Sequence, residues 1–182
     1  MPAKTDHFRF IGYGQRLYAF TIIELVIVMV IMAIAAMLAV PMYSSASGVQ
    51  LSSAGNTVAA DLEYAKSLAI SKGQNYSVVF NKDAESYRIT DSDGVTIKDQ
   101  VKKGFDYVVT FGAGSYLDKI GITDAIFNPG ASSTITFDYL GSPYSGSGSG
   151  TSLNEGRIIL GAGNSSMTIS IEPITGFITI SE

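Results

Sequence analysis

Ala19-Phe20-Thr21-Ile22-Ile23-Glu24-Leu25-Val26 opens a stretch that is apolar from Ile22 to Val40, Glu24 excepted, and closes on Pro41. At about 1.5 Å per residue, roughly 20 apolar residues span the ~30 Å hydrocarbon core of a bilayer as one helix. Pro41 lacks an N–H and crowds the preceding turn, so a kink is expected there. The exception, Glu24, is the informative residue. A carboxylate near the bilayer centre costs about 2.5–3.5 kcal/mol or more, so it calls for a cationic partner. No basic residue lies between Arg16 and Lys66. Cutting the chain after Ala19 would create a cation, the α-amino group of Phe20. Within one helix that amine is near Glu24 but poorly aimed; between staggered neighbouring subunits the two can meet head-on.

Charge is distributed to match. Residues 1–19 carry Lys4, Arg9 and Arg16 against Asp6, a net +2. The remainder holds nine of the 12 basic and 15 of the 16 acidic residues, a net −6. A basic leader before an apolar run orients the N-terminus to the cytoplasm and the acidic remainder across the membrane. Three simpler readings of the stretch exist. A plain single-span anchor explains the apolar run but not Glu24. A secretory signal could be cut at Ser44-Ser45-Ala46, yet the following segment continues as a helix. Glu24 could also reach to the interface from the helix start, which is compatible with a role in assembly.

Past Pro41 the pattern narrows to one stripe. Leu51, Ala54, Val58, Leu62, Ala65 and Ala69 recur every three or four residues, with Asp61, Glu63 and Lys66 off the stripe. This is an amphipathic helix that needs a sheet to cover it, ending at Lys72-Gly73. From Gln74 the period becomes two. Strands are expected at Tyr76–Phe80, Glu85–Thr90, Val95–Lys98, Phe105–Phe111, Thr134–Tyr139, Arg157–Leu160, Met167–Glu172 and Phe177–Ile180. Gly141–Gly150 reads as a flexible loop with too little apolar surface to pack. The fold class is α+β: one long N-terminal helix, half membrane segment and half amphipathic, packed on a mostly antiparallel β-sheet.

Several chemistries are excluded. The chain has no Cys, and its one His, His7, precedes the cut. Ser-His-Asp and Cys-His nucleophiles and His/Cys zinc sites are therefore absent from the processed chain. No catalytic residue, metal site or cofactor is expected. Asp91-Ser92-Asp93-Gly94 looks like the start of a calcium loop, but position 12 of such a loop would be Lys102 rather than Glu, and a hairpin turn explains it. The acidic residues otherwise read as solvated groups in turns. A net −6 is the wrong sign for phosphate, so no nucleic-acid partner is expected.

The N-terminal residues resemble the type IV prepilin and pseudopilin superfamily, whose signature is a small residue before Phe-Thr-x-x-Glu, then an apolar helix and a Pro. Ala19, Phe20, Thr21, Glu24 and Pro41 match in register, with Ala19 where Gly is usual. Asp61-Leu62-Glu63-Tyr64-Ala65-Lys66-Ser67-Leu68-Ala69-Ile70 running into Tyr76–Phe80 is similar to the GspH/FimT-type minor pilins and pseudopilins, as are Thr136–Gly141, Gly156–Leu160 and Thr175–Ile180. The resemblance implies a leader over 1–19, a membrane and filament-core segment over 20–41, an amphipathic continuation over 42–73 and a periplasmic β-rich domain over 74–182. It implies cleavage between Ala19 and Phe20 by a prepilin peptidase, N-methylation of Phe20, and contact of Glu24 with a neighbour's Phe20 amine. The implied partners are other pilin or pseudopilin subunits, an inner-membrane assembly platform and the lipid bilayer. The implied place is the bacterial inner membrane, then a pilus or pseudopilus. The contrasting possibility is an anchored or secreted periplasmic binding domain that never enters a filament.

Overall fold

The computed structural model describes residues 21–112 and 114–182, with the side chains of 38–47 excepted. The architecture is α+β: helix α1 (Ile22–Lys72) followed by nine strands. These are β1 (Tyr76–Asn81), β2 (Ser86–Thr90), β3 (Val108–Thr110), β4 (Gly121–Asn128), β5 (Thr134–Phe137), β6 (Pro143–Ser145), β7 (Glu155–Ala162), β8 (Ser165–Ile171) and β9 (Ile178–Ser181). They form two antiparallel sheets, ordered β3-β2-β1-β5-β6 and β4-β7-β8-β9. The chain divides into two units, Met1–Pro41 and Met42–Glu182, each described separately.

In the second unit the helical stripe does what its spacing requires. Leu51, Ala54, Val58, Leu62, Ala65 and Ala69 are all buried. They join one core with Val78, Phe80, Tyr87 and Ile89 of one sheet and Ile158, Leu160, Met167 and Ile169 of the other. Small residues dominate the stripe because the backbone comes close to the sheets. At Gly55 an added Cβ would run into the Met167 sulfur of β8. Phe80 and Phe127 meet with ring centroids 5.9 Å apart and join β1 to β4. The Ser145 hydroxyl donates to the carbonyls of Phe127 and Pro129, both at 2.7 Å, and pins β6 to the end of β4. The helix ends as its sequence indicates. Gly73 takes φ +67°, and the N–H groups of Gly73 and Gln74 both donate to the Ala69 carbonyl, at 3.0 and 3.3 Å. Glycine adopts this left-handed cap without a Cβ penalty.

Three local expectations need correction, and one strand, β4, is not among those expected. Val95–Lys98 is not a strand but makes only isolated bridges, Thr90 to Thr96 and Lys98 to Asp106. Ile97 sits where β2 and β3 diverge, donating to Ile89 O at 3.0 Å and accepting from Tyr107 N–H at 2.8 Å, so no continuous ladder forms. The strand expected over Phe105–Phe111 shrinks to Val108–Thr110 for the same reason. Strand β4 carries no clear period-two signal. A bulge between Ile122 and Asp124 shifts its register, so its fully buried residues, Ile122 and Phe127, fall an odd number of positions apart. Gly141–Gly150 is not a free loop. Pro143 and Ser145 are buried in β6, and the stretch beyond covers the outer face of β5. Thr136 Oγ1 donates to Gly146 O at 2.6 Å and accepts from Gly148 N–H at 3.1 Å. Backbone and hydroxyl hydrogen bonds replace the apolar side chains this segment lacks.

Residues 48–182 contain the whole buried stripe, so this fragment is expected to be soluble and to unfold cooperatively. Gly55→Val should lower its stability by about 1–3 kcal/mol, since overpacking forces Met167 and its neighbours aside. Urea unfolding followed by circular dichroism checks both statements. A fragment without a cooperative transition would contradict the first, and an unchanged midpoint the second.

Candidate functional site

Of the residues singled out in the sequence, Ala19 and Phe20 lie outside the described residues, as does the side chain of Pro41. Glu24 is described, in the first turn of α1. Its N–H donates to Thr21 Oγ1 at 3.3 Å, and the Leu25 N–H donates to Thr21 O at 3.2 Å. Thr21 is thus the N-cap and Glu24 the third helical residue, the spacing of a capping box. The sequence carries this in plain form as Thr-x-x-Glu, a second meaning of the motif that the argument from charge had missed. A carboxylate in this turn also faces the positive end of the helix dipole. One residue pair therefore both starts the helix and presents an anion at its tip.

Behind this cap the helix has no polar face. Ile23, Leu25, Val26, Ile27, Val28, Val30 and Ile31 are each about half exposed or more, as are Met29, Met32, Ile34 and Met37. Their exposures, from 48% at Val26 to 81% at Met37, show no side turned towards a core. Among the described residues no helix is long and apolar enough to cross a membrane. The described side chains of this segment stop at Met37, whereas the apolar sequence continues through Leu38-Ala39-Val40.

The second unit holds a buried carboxylate that the helical pattern had placed off the stripe. Asp61 is 7% exposed. Its Oδ2 accepts from the Tyr87 hydroxyl at 2.6 Å and its Oδ1 from the Tyr107 hydroxyl at 2.7 Å. Burial pushes the Asp61 carboxyl above the usual range, the two phenols partly offset this, and Asp99 adds to the rise. Burial beside the Asp61 charge pushes both the Tyr87 and the Tyr107 phenol upward. Sequence pattern alone could not find this cluster, because Tyr87 and Tyr107 lie 26 and 46 residues from Asp61. The second buried carboxylate, Asp138, is spent on its own turn, accepting from the N–H groups of Leu140 and Ser142 at 2.9 Å.

Next to Asp61 lies a groove of about 420 Å³ between α1 (Thr57, Asp61), the 99–107 loop (Asp99, Lys102, Tyr107), strand β3 and Tyr116. Asp91, the possible calcium ligand, instead closes its own turn: its Oδ1 accepts from the N–H groups of Asp93 and Val95 at 3.0 and 2.9 Å. Among the described residues no group of three or more His, Cys, Asp or Glu is placed to hold a metal ion.

The sequence profile of the family described as type II transport protein GspH matches residues 54–175. The chain belongs to the GspH family. The match lies entirely outside the Phe-Thr-x-x-Glu motif, so the globular half places the chain independently of its N-terminus. Among solved structures, the minor pseudopilin EpsH from the type 2 secretion system of Vibrio cholerae is similar at a TM-score of 0.51 and 11% identity, covering 72% of this chain and 96% of that one. The type IV minor pilin FimU of Pseudomonas aeruginosa is similar in two crystal forms, at TM-scores of 0.47 and 0.46 and identities of 18% and 19%. Those alignments cover 72% of this chain and 88% and 93% of FimU. No curated protein matches the chain. The likeness to EpsH shows a pilin-type fold, and the family places the chain in the GspH/FimT-like branch of the pilin and pseudopilin superfamily.

Tyr87→Phe should lower stability at neutral pH by about 1–3 kcal/mol, because it strips one donor from a buried carboxylate. The Asp61 carboxyl should then titrate at still higher pH in carboxyl NMR. A phenol whose folded value is raised stabilises the fold fully below the ordinary tyrosine range and loses that contribution as pH rises through the folded value. Stability of the parent should therefore fall above about pH 10, and Tyr87→Phe should make that fall shallower. Equal alkaline slopes in the two proteins would contradict the placement of Tyr87.

Proposed function

We propose that this chain is a minor structural subunit of a pilus-type filament, a type II secretion pseudopilus or type IV pilus, and has no enzymatic role. The single observation that supports the reading is the helix from Leu25 to Met37, apolar on every side and uncovered in the isolated chain. Burying a large apolar side chain is worth about 1.5–3 kcal/mol. A bilayer supplies that burial before assembly, and a bundle of neighbouring N-terminal helices supplies it afterwards. The family's description as a type II transport protein favours the secretion branch.

In this reading residues 1–19 are a cytoplasmic leader, residues 20–41 cross the inner membrane, and the β-rich part lies in the periplasm. Prepilin peptidase cuts between Ala19 and Phe20 and methylates the new amine. Glu24 then accepts the Phe20 amine of a neighbouring subunit at the assembly platform. The position of Glu24 fits this role: a carboxylate in the first turn of the helix stands where an adjacent helix brings its N-terminal ammonium. Pro41, which lacks an N–H, is the weak point of the helical ladder between the apolar segment and the amphipathic one.

Intact-mass analysis of the membrane-extracted protein is expected to give a chain starting at methylated Phe20. Glu24→Ala should leave processing and membrane insertion intact while sharply lowering recovery in sheared filaments. Because a carboxylate in the first turn also favours the helix through its dipole, Glu24→Gln is the companion variant: it keeps the reach of the side chain but removes the charge, and should fail in the same way. A chain beginning after Ala46, or full recovery of Glu24→Gln in filaments, would overturn the proposal.

A further inference from the structure

The ends of a β-sheet are where main-chain hydrogen bonding remains open to another chain. Four strands are edges here: β3 and β6 in one sheet, β4 and β9 in the other. β6 begins with Pro143 and is overlain by the following segment, with Ser145 N–H donating to Thr151 O at 2.9 Å and Leu153 N–H to Pro143 O at 3.1 Å. At β4 the Ile122 N–H is taken by the Glu85 carboxylate. β9 is exposed from Thr179 to Ser181. β3 is the edge that lines the 420 Å³ groove, through Val108, Val109 and Thr110.

The pairing fixes which groups of β3 look into that groove. The Phe111 N–H donates to Glu85 O at 2.8 Å and the Ile89 N–H to Tyr107 O at 3.4 Å, on either side of the Val109–Tyr87 pair. Odd-numbered positions therefore face β2. In an antiparallel ladder the alternate positions turn their N–H and C=O the other way. The Thr110 N–H and C=O and the Val108 C=O thus point to the open edge, while the Val108 N–H is taken by Asp106 O at 2.9 Å. Side chains divide in the same manner. Tyr107 and Val109 pack on the core, with the Tyr107 hydroxyl on Asp61, whereas Val108 and Thr110 are exposed on the opposite side. The same groove is lined by Asp61, Asp99 and Lys102, two carboxylates against one ammonium.

We propose that this groove is a docking site for an extended segment of a partner protein, which adds to β3 as a further strand. Successive side chains of such a segment alternate in direction. One would turn towards Asp61 and Asp99, and a Lys or Arg fits the surplus negative charge there. Its two neighbours would turn outward beside Val108 and Thr110, where β-branched residues pack well. The partner is thus an extended stretch with a basic residue flanked by β-branched ones, held by its backbone and selected by its charge. The groove uses no residue of the apolar segment before Pro41, so the proposal stands or falls independently of filament assembly.

The test uses the full-length protein in detergent micelles and the peptide acetyl-Thr-Val-Arg-Val-Thr-amide. Amide NMR should show saturable shifts centred on Thr110. N-methylating the peptide at positions of one parity should abolish binding, and at the other parity leave it intact, because only alternate amides face β3. Replacing its Arg by Glu, or Thr110→Pro in the protein, should weaken binding by about tenfold or more, the worth of one well-made bond in a dry setting. Thr110→Pro removes an N–H that faces away from β2 and is tolerated in an edge strand; Thr110→Ala keeps that N–H and should bind like the parent. No saturable binding at millimolar peptide, or binding indifferent to methylation parity, overturns the proposal. So does self-association abolished by Thr110→Pro without peptide binding, which would give the edge to a second copy.

Discussion

The change of apolar pattern along α1 is the constraint on which the rest depends. Leu25 to Met37 is apolar on all sides, whereas Leu51 to Ala69 is apolar along one stripe. A stripe can be satisfied by the chain's own sheets, and here it is, with six stripe residues buried. A surface apolar all round cannot be covered by one sheet, so the first segment finds no complete cover in the chain's own sheets. Small residues along the stripe, Ala54, Gly55, Ala65 and Ala69, let the sheets approach closely. This is why one helix can serve as the common spine of two sheets.

Specificity within that core comes from polar groups in apolar surroundings. Asp61 would be a heavy penalty if left unpaired, since a buried charge without donors is strongly disfavoured. Tyr87 and Tyr107 supply one donor to each oxygen, and both belong to the region of β2 and β3. The triad therefore sets the rotational position of α1 against the five-stranded sheet, where the apolar contacts alone would tolerate small slips. Asp61 and Tyr107 also line the groove beside the β3 edge, so a device that fixes the fold also gives that groove part of its charge.

Most of the architecture was legible in the sequence, for identifiable physical reasons. The helical stripe, its Gly73 stop and the strands β1, β2, β5, β7, β8 and β9 follow from periods of 3.6 and 2 that local patterns express directly. What escaped depends on contacts between distant residues. β4 hides behind a bulge that breaks its alternation. β6 lies in a Gly/Ser-rich stretch whose order comes from hydrogen bonds to Thr136 and Phe127. Asp61 looked like a surface residue because its partners are far away in the chain. At the N-terminus the motif Thr21-x-x-Glu24 was read for its charge, while its role as a helix cap was equally open to view.

The chain contains no cysteine, which makes one measurement particularly clean. Single substitutions such as Val26→Cys and Val30→Cys, placed on the uncovered helix and oxidised in intact cells, report directly on what surrounds it. The account predicts cross-links between this chain and other pilin or pseudopilin subunits carrying a matched cysteine, formed only when prepilin peptidase is active. Cysteines that are never linked to another subunit, and that react only with lipid-soluble reagents in the presence of the full assembly machinery, would contradict it.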